Sequence, residues 1–257
     1  MGVPLLVSAE AAVDLGLASR RIRLAVQDLA EGALDDELAA EAHALALEIR
    51  ERDDRSPMDW LLGGDDGWNP SRSGLLRCVG WMAAESTLRP LLIAFDRWRD
   101  DDRWLRRYCP ACGSLPTMAQ LVGKDPGRRR LLCCGCCRTR WRYARTGCPF
   151  CETESHRLAA LAPEGAHGLR IDYCDACRGY LKTYDGEGSE AVMLADWTSV
   201  HLDVLALDRG LTRCAPSLYA FDAVAGPDSI TPEAARLSGG TTVTAGSERG
   251  GKRFLTH

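Results

Sequence analysis

The chain of 257 residues has no apolar run approaching the eighteen or so residues of a membrane span. Its opening, MGVPLLVSAEAAVDLGLASRR, lacks the basic start of a secretory signal and carries Glu10 early. Met-Gly is not a myristoylation site either, because Leu6 stands where Ser or Thr is needed. Aromatic residues make up only 7% and the net charge is −4, so the chain as a whole has no bias toward nucleic acid. A Walker loop, a G-x-S-x-G elbow and an H-E-x-x-H helix are all missing, which removes three common catalytic classes. These absences point to a cytoplasmic protein with no membrane segment.

Cysteine is the residue present in excess. There are twelve, and ten of them fall between residues 109 and 177. Secreted scaffolds spread their cysteines through a small domain, whereas clustered pairs in a cytoplasmic chain serve metal or redox chemistry.

Composition divides the chain. Residues 1–107 read as a helical domain. In SAEAAVDLGLASRRIRLAVQDLA the apolar residues recur at helical spacing, with Val13, Leu17, Leu24 and Leu29 near one face. LDDELAAEAHALALEIRER is rich in strong helix formers. Ser56 precedes a proline and an acid as an N-cap would, and Ser73 stands where it would cap LLRCVGWMAAESTLRPLLIAFDRWR. Pro90 should kink or break that segment, and Cys78 on it reads as a buried structural thiol. From residue 108 Gly, Pro and Cys appear with the short β-type runs RRRLL, RTRWRYA, HRLAAL, GLRIDY and GYLKTYD. EAVMLADWTSVHLDVLALDRG returns to helical spacing, and residues 222–257 read as a disordered tail.

The cysteines form a tandem repeat. Cys109/Cys112 and Cys148/Cys151 both read C-P-x-C, displaced by 39 residues. Shifting Cys174/Cys177 back by 40 lands on Cys134/Cys137, each followed by an arginine, Arg138 or Arg178. The other register, Cys133/Cys136, needs a shift of 41 and loses the arginine match. Each unit is therefore C-x2-C, 21 or 22 residues, C-x2-C. Two such knuckles at hairpin tips can converge four thiolates tetrahedrally on one ion. The modules are 108–147, holding Cys109, Cys112, Cys134 and Cys137, and 148–221, holding Cys148, Cys151, Cys174 and Cys177 with the C-terminal helix. Gly113 permits a positive φ after its knuckle, while Glu152 at the equivalent place should make the third knuckle relax differently. Cys133, Cys136 and Cys214 are left over, and no histidine, His156 and His167 included, falls at ligand spacing. Tetrahedral S4 suits zinc and mononuclear iron alike.

Residues 103–145 carry eleven Arg or Lys against one acid, Asp125. Four thiolates around a divalent ion leave a charge of −2, which accounts for only a few of them. Trp104, Tyr108, Trp141 and Tyr143 interleave, so the stretch suits an acidic protein partner or nucleic acid. Alternation on a strand places Arg140 and Arg142 on one side with Arg138, and Trp141 on the other, covering the knuckle.

YCPACGS, CCGCCRTRWRYARTGCPFC and YCDACRGYLKTYD, in that order, resemble the formate dehydrogenase accessory protein family of FdhE type. The family's joining motif, C-x-x-C-x-x-x-W-x-x-x-R-x-x-C-x-x-C, begins here at Cys134, runs through Trp141 and Arg145, and ends at Cys148 and Cys151. The resemblance covers about residues 75–221, through APSLYAF. It implies a cytoplasmic, non-enzymatic maturation factor that binds the catalytic subunit of formate dehydrogenase. It also implies two rubredoxin-like sites that favour iron, with zinc the other choice. The expected fold is α+β: a helical domain, two tandem rubredoxin- or zinc-ribbon-like modules and a C-terminal helix. Arg138, Arg140 and Arg142 are the expected partner-binding residues. A zinc-ribbon nucleic-acid-binding protein is the alternative, and a rubredoxin-like electron carrier the third.

Overall fold

The described part of the Ala-, Leu- and Glu-rich first hundred residues forms four α-helices: α1 (Leu15–Gly32), α2 (Asp36–Arg50), α3 (Ser56–Leu61) and α4 (Ser73–Trp98). The computed structural model describes residues 2–8, 13–63, 67–124, 127–153, 158–163, 165 and 168–215. The segment expected as a disordered tail lies outside them, as do His156 and His167. Asp14 and Asp35 cap α1 and α2, their carboxylates accepting from the amides of Gly16 and Leu38. Ser56 and Ser73 are not caps; each is the first helical residue, behind Arg55 and Arg72.

The face that α1 buries differs from the one its large residues indicate. Leu15, Ala18, Ile22 and Val26 face the core, while Leu17 and Leu24 are exposed. Small side chains at 18 and 19 let the neighbouring elements come close. Ser19 Oγ donates to the Arg55 carbonyl and accepts from the Met58 amide, tying α1 to α3. Helix α4 runs unbroken through Pro90. Proline removes one N–H there, at an exposed position, and burial of Leu88 and Phe95 anchors the helix on either side. Cys78 is half-buried.

Among the described residues seven strands form one sheet: β1 (Pro116–Val122), β2 (Arg129–Cys134), β3 (Arg140–Arg142), β4 (Leu158–Leu161), β5 (Leu169–Cys174), β6 (Gly179–Asp185) and β7 (Thr212–Arg213). The order is β3-β2-β1-β6-β5-β4, with β7 beside β6. Each cysteine repeat contributes three antiparallel strands, β1–β3 or β4–β6. Parallel pairing of β1 with β6 joins the two triplets. β1 is therefore central and buried at every residue, whereas its counterpart β4 lies at the edge.

The C-terminal helical stretch is two helices, α5 (Ser189–Thr198) and α6 (Val200–Asp208), separated at Ser199. The break has a chemical cause in the sheet. Lys182 on β6, 1% exposed, donates from Nζ to the carbonyls of Asp196 and Ser199, at 2.8 and 3.5 Å. Its charge is met by Asp196 and Asp203, at 2.9 and 2.7 Å. Arg213 on β7 pairs with the same two carboxylates, and Tyr180 donates to Asp203. Two cations and two anions thus close a neutral buried network that fixes α5 and α6 on the sheet.

Candidate metal centres

The four knuckles share one backbone solution. In three of them the first cysteine's amide donates to the carbonyl five residues on: Cys109 to Ser114, Cys134 to Thr139 and Cys148 to Thr153. The residue after each second cysteine is left-handed: Gly113 (φ 83°), Arg138 (59°), Glu152 (58°) and Arg178 (60°). Glu152 therefore does not relax differently from glycine. Its amide donates to the Cys148 carbonyl at 2.9 Å, as Gly113 does to Cys109, and the tight turn imposes its conformation on whichever residue occupies it.

Two groups of four sulfurs result, Cys109, Cys112, Cys134 and Cys137 in one and Cys148, Cys151, Cys174 and Cys177 in the other. Within each group all sulfurs lie within 4.8 Å of one another. The first has Sγ–Sγ separations of 3.4 Å (Cys109–Cys137) and 3.5 Å (Cys112–Cys134). The second has 3.8 Å (Cys148–Cys177) and 3.7 Å (Cys151–Cys174). A tetrahedral ion with bonds of about 2.3 Å places its sulfurs about 3.8 Å apart, which these pairs of the second cage match and those of the first would reach by opening a few tenths of an ångström. Ser114, Thr139 and Thr153 hydroxyls lie 3.2–3.4 Å from Cys112, Cys137 and Cys151, placed to donate to thiolates.

The sulfurs resist carrying four negative charges without a cation. Burial, with the neighbouring thiols, pushes Cys112 and Cys134 well above the usual thiol range. Burial also acts upward on Cys137, but hydrogen bonds from Cys109, Cys112, Cys134 and Thr139 outweigh it and hold this thiol well below. In the second cage hydrogen bonds led by that of Thr153 likewise outweigh burial and bring Cys151 down to about 6. A bound metal cation would supply the charge that lets all four ionise.

Adjacent residues on a strand point to opposite faces, which separates Cys133 from Cys134 at the end of β2. Cys133 packs with Met118, Val192 and Ala195 on the α5 side, where burial raises its thiol to about 12. Cys136 is outside the group of four yet stands beside the first cage; contact with Cys134 lowers its thiol more than burial raises it. Cys214 abuts the second cage, since a Cβ on Gly179 would meet its sulfur at 2.8 Å and that of Cys177 at 3.2 Å. The sequence repeat contains no counterpart for either contact.

The basic stretch is largely engaged within the chain. Trp141 is fully buried among the first cage's cysteines, its indole donating to the Arg106 carbonyl at 2.9 Å. Arg140 and Arg142 lie on β3, whereas Arg138 sits in the knuckle before the strand. Arg138 pairs with Glu85 on α4 at 3.0 Å, Arg140 donates to Gln120 on β1 at 2.8 Å, and Arg142 pairs with Asp102. Trp104 donates to the Tyr108 carbonyl and meets the Tyr108 ring edge to face, and Tyr108 donates to the Gly2 carbonyl. Beyond these expected residues, the structure adds Lys182, Asp196, Asp203 and Arg213, whose only sequence signal is the Lys182 in CDACRGYLK.

No family model matches the chain. A Protein FdhE homolog of Aquifex aeolicus is 33% identical over 134 residues, 50% of this chain and 47% of that one. The homolog of Pseudomonas aeruginosa is 36% identical over 124 residues, 44% of this chain and 39% of that protein. The matches thus span less than half the length of these curated relatives. The fold extends further: the crystal structure of the FdhE protein from Pseudomonas aeruginosa is similar over 79% of this chain and 72% of that chain, with a TM-score of 0.51 and 27% identity. The chain is thus similar to FdhE proteins in sequence over about half its length and in fold over most of it.

Proposed function

We propose that the chain is an accessory protein for the maturation and assembly of formate dehydrogenase, and that it acts in the cytoplasm by binding the enzyme's catalytic subunit. The observation that carries this reading is the pair of preformed tetracysteine cages in one sheet, packed against helices, in a chain similar to FdhE proteins. An ion held by four cysteines has no open position for water, so the cages suit bracing a binding scaffold and not hydrolysis. Iron is the metal implied by the resemblance, and zinc fits the same donors. Arg138, Arg140 and Arg142 belong to the docking surface in this reading. Their ties to Glu85, Gln120 and Asp102 hold the guanidinium groups in place and so reduce the entropy lost on docking. Among the described residues no helix is long and apolar enough to cross a membrane, which agrees with a protein that meets its partner in water.

The test is capture of the purified catalytic subunit by the full chain, prepared without oxygen and assayed for metal. Two ions per chain and saturable capture are expected. A folded, metal-loaded chain that captures no subunit defeats the reading. The nucleic-acid alternative predicts instead a retention of DNA or RNA that falls steeply with salt.

A further inference from the structure

A cleft of about 430 Å³ lies where α4, the second knuckle and α5 meet. Its walls include Glu85, Arg89, Ile93, Asp96 and Arg97 of α4, positions that recur along one side of the helix. Across from them stand Cys137, Arg138, Thr139 and Arg140, and Met193 comes from α5. Ile93 is 46% exposed, and Met193 and Leu131 are half-buried, so part of the lining is apolar and accessible.

The charges are unevenly satisfied. Each acid in the cleft already has a partner: Glu85 pairs with Arg138 at 3.0 Å, and Asp96 and Asp101 with Arg99 at 2.9 and 2.7 Å. Arg89, Arg97 and Arg140 have no carboxylate among the described residues, and Arg89 and Arg97 are exposed. Eight residues of helix separate those two, about 12 Å along the axis. An extended chain covers that distance in about four residues. We infer that this cleft is a docking groove for an extended protein segment bearing two carboxylates about four residues apart, with an apolar residue between them to meet Ile93 and Met193. A nucleic-acid backbone fits poorly, because its evenly spaced phosphates would face Glu85, Asp96 and Asp101. Cys137 forms part of the wall, so the first cage also sets the position of the groove.

The inference rests on the proposed binding of the catalytic subunit and adds where and by what chemistry the subunit docks. The experiment uses the full, metal-loaded chain and the purified catalytic subunit, with Arg89→Glu/Arg97→Glu set against Arg103→Glu/Arg145→Glu. The second pair makes the same charge change on exposed arginines outside the cleft. Metal content and melting should match the unaltered chain in both, since exposed substitutions cost little. The cleft pair should weaken capture about tenfold or more, the control pair by less than about twofold. Equal capture by the cleft variant and the unaltered chain overturns the docking groove while leaving the accessory reading intact. Absence of capture by the unaltered chain overturns both. As a second readout, a photo-crosslinker at position 93 should attach to an acidic segment of the subunit. Attachment to a basic segment, or loss of low-salt DNA retention in the cleft variant in place of lost capture, overturns the groove as well.

Discussion

The two cages share a spacing, a knuckle backbone and nearly the same sulfur separations, yet the first is buried at all four cysteines and the second exposes Cys151. Their strands explain the difference. The first cage opens onto β1, central in the sheet, while the second opens onto β4 at the edge. The first is also covered from outside its repeat. A 3-10 turn at Leu5–Val7 docks on its first knuckle, with the Leu5 and Leu6 amides donating to the carbonyls of Pro110 and Ala111. Trp141 and the helical core close the remaining side. A local motif is enough to bring four sulfurs together. Shielding them depends on what the rest of the chain places around them.

The largest contrast should come from removing one ligand on each side. Cys112→Ser and Cys151→Ser should each cost one metal ion. Structural metal binding is worth on the order of 10 kcal/mol, and it is folding free energy for whatever packs on the site. Cys112→Ser should therefore lower melting of the helices and sheet together, whereas Cys151→Ser should raise hydrogen exchange chiefly in residues 158–185. Equal global destabilisation by the two variants would mean that the cages brace the fold alike.

Next come the side chains four residues beyond each second-knuckle cysteine, Trp141 and Leu181, which meet in one core. Trp141→Ala should cost about 3–5 kcal/mol and Leu181→Ala about 2–5 kcal/mol in urea unfolding. Only the tryptophan variant should also ease release of the first ion.

Chelation should separate the cages by rate. With a competing chelator, the ion behind exposed Cys151 should leave about tenfold faster than the ion of the buried cage, because local opening there breaks fewer contacts. Release in the opposite order would mean that burial does not protect the first site.

The smallest effects belong to the leftover thiols. Cys133→Ser and Cys136→Ser should keep both metals. Cys133→Ser should still cost about 1–3 kcal/mol, since a hydroxyl would lie unpaired beside Met118, Val192 and Ala195. Loss of an ion from either variant would assign that sulfur to the first cage.

Much of the sheet is legible in the sequence because its strands keep local signals. The runs containing Arg129–Cys134, Arg140–Arg142, Leu158–Leu161, Leu169–Cys174 and Gly179–Asp185 are β-type segments bounded by knuckles or turns. Strand β1 is not legible. PTMAQLV has no alternation, since it is buried on both faces, and it carries a proline and a glutamine. Gln120 is tolerated there because Nε2 donates to the carbonyls of Gly186 and Gly188 while Oε1 accepts from Arg140. Those partners come from elsewhere in the chain, so no window around residue 120 contains the reason for the strand.

The sequence by itself determined the four knuckles, since each is a turn of a few residues whose backbone bonds close locally. It also determined which repeat each pair belongs to, through spacing. Only the tertiary structure decided that α1 turns Leu17 and Leu24 outward, that Lys182 splits the last helix at Ser199, and that one cage is enclosed while the other reaches the surface. Burial and charge pairing depend on groups far apart in the chain. The sheet order that puts β1 at the centre and β4 at the edge sets both.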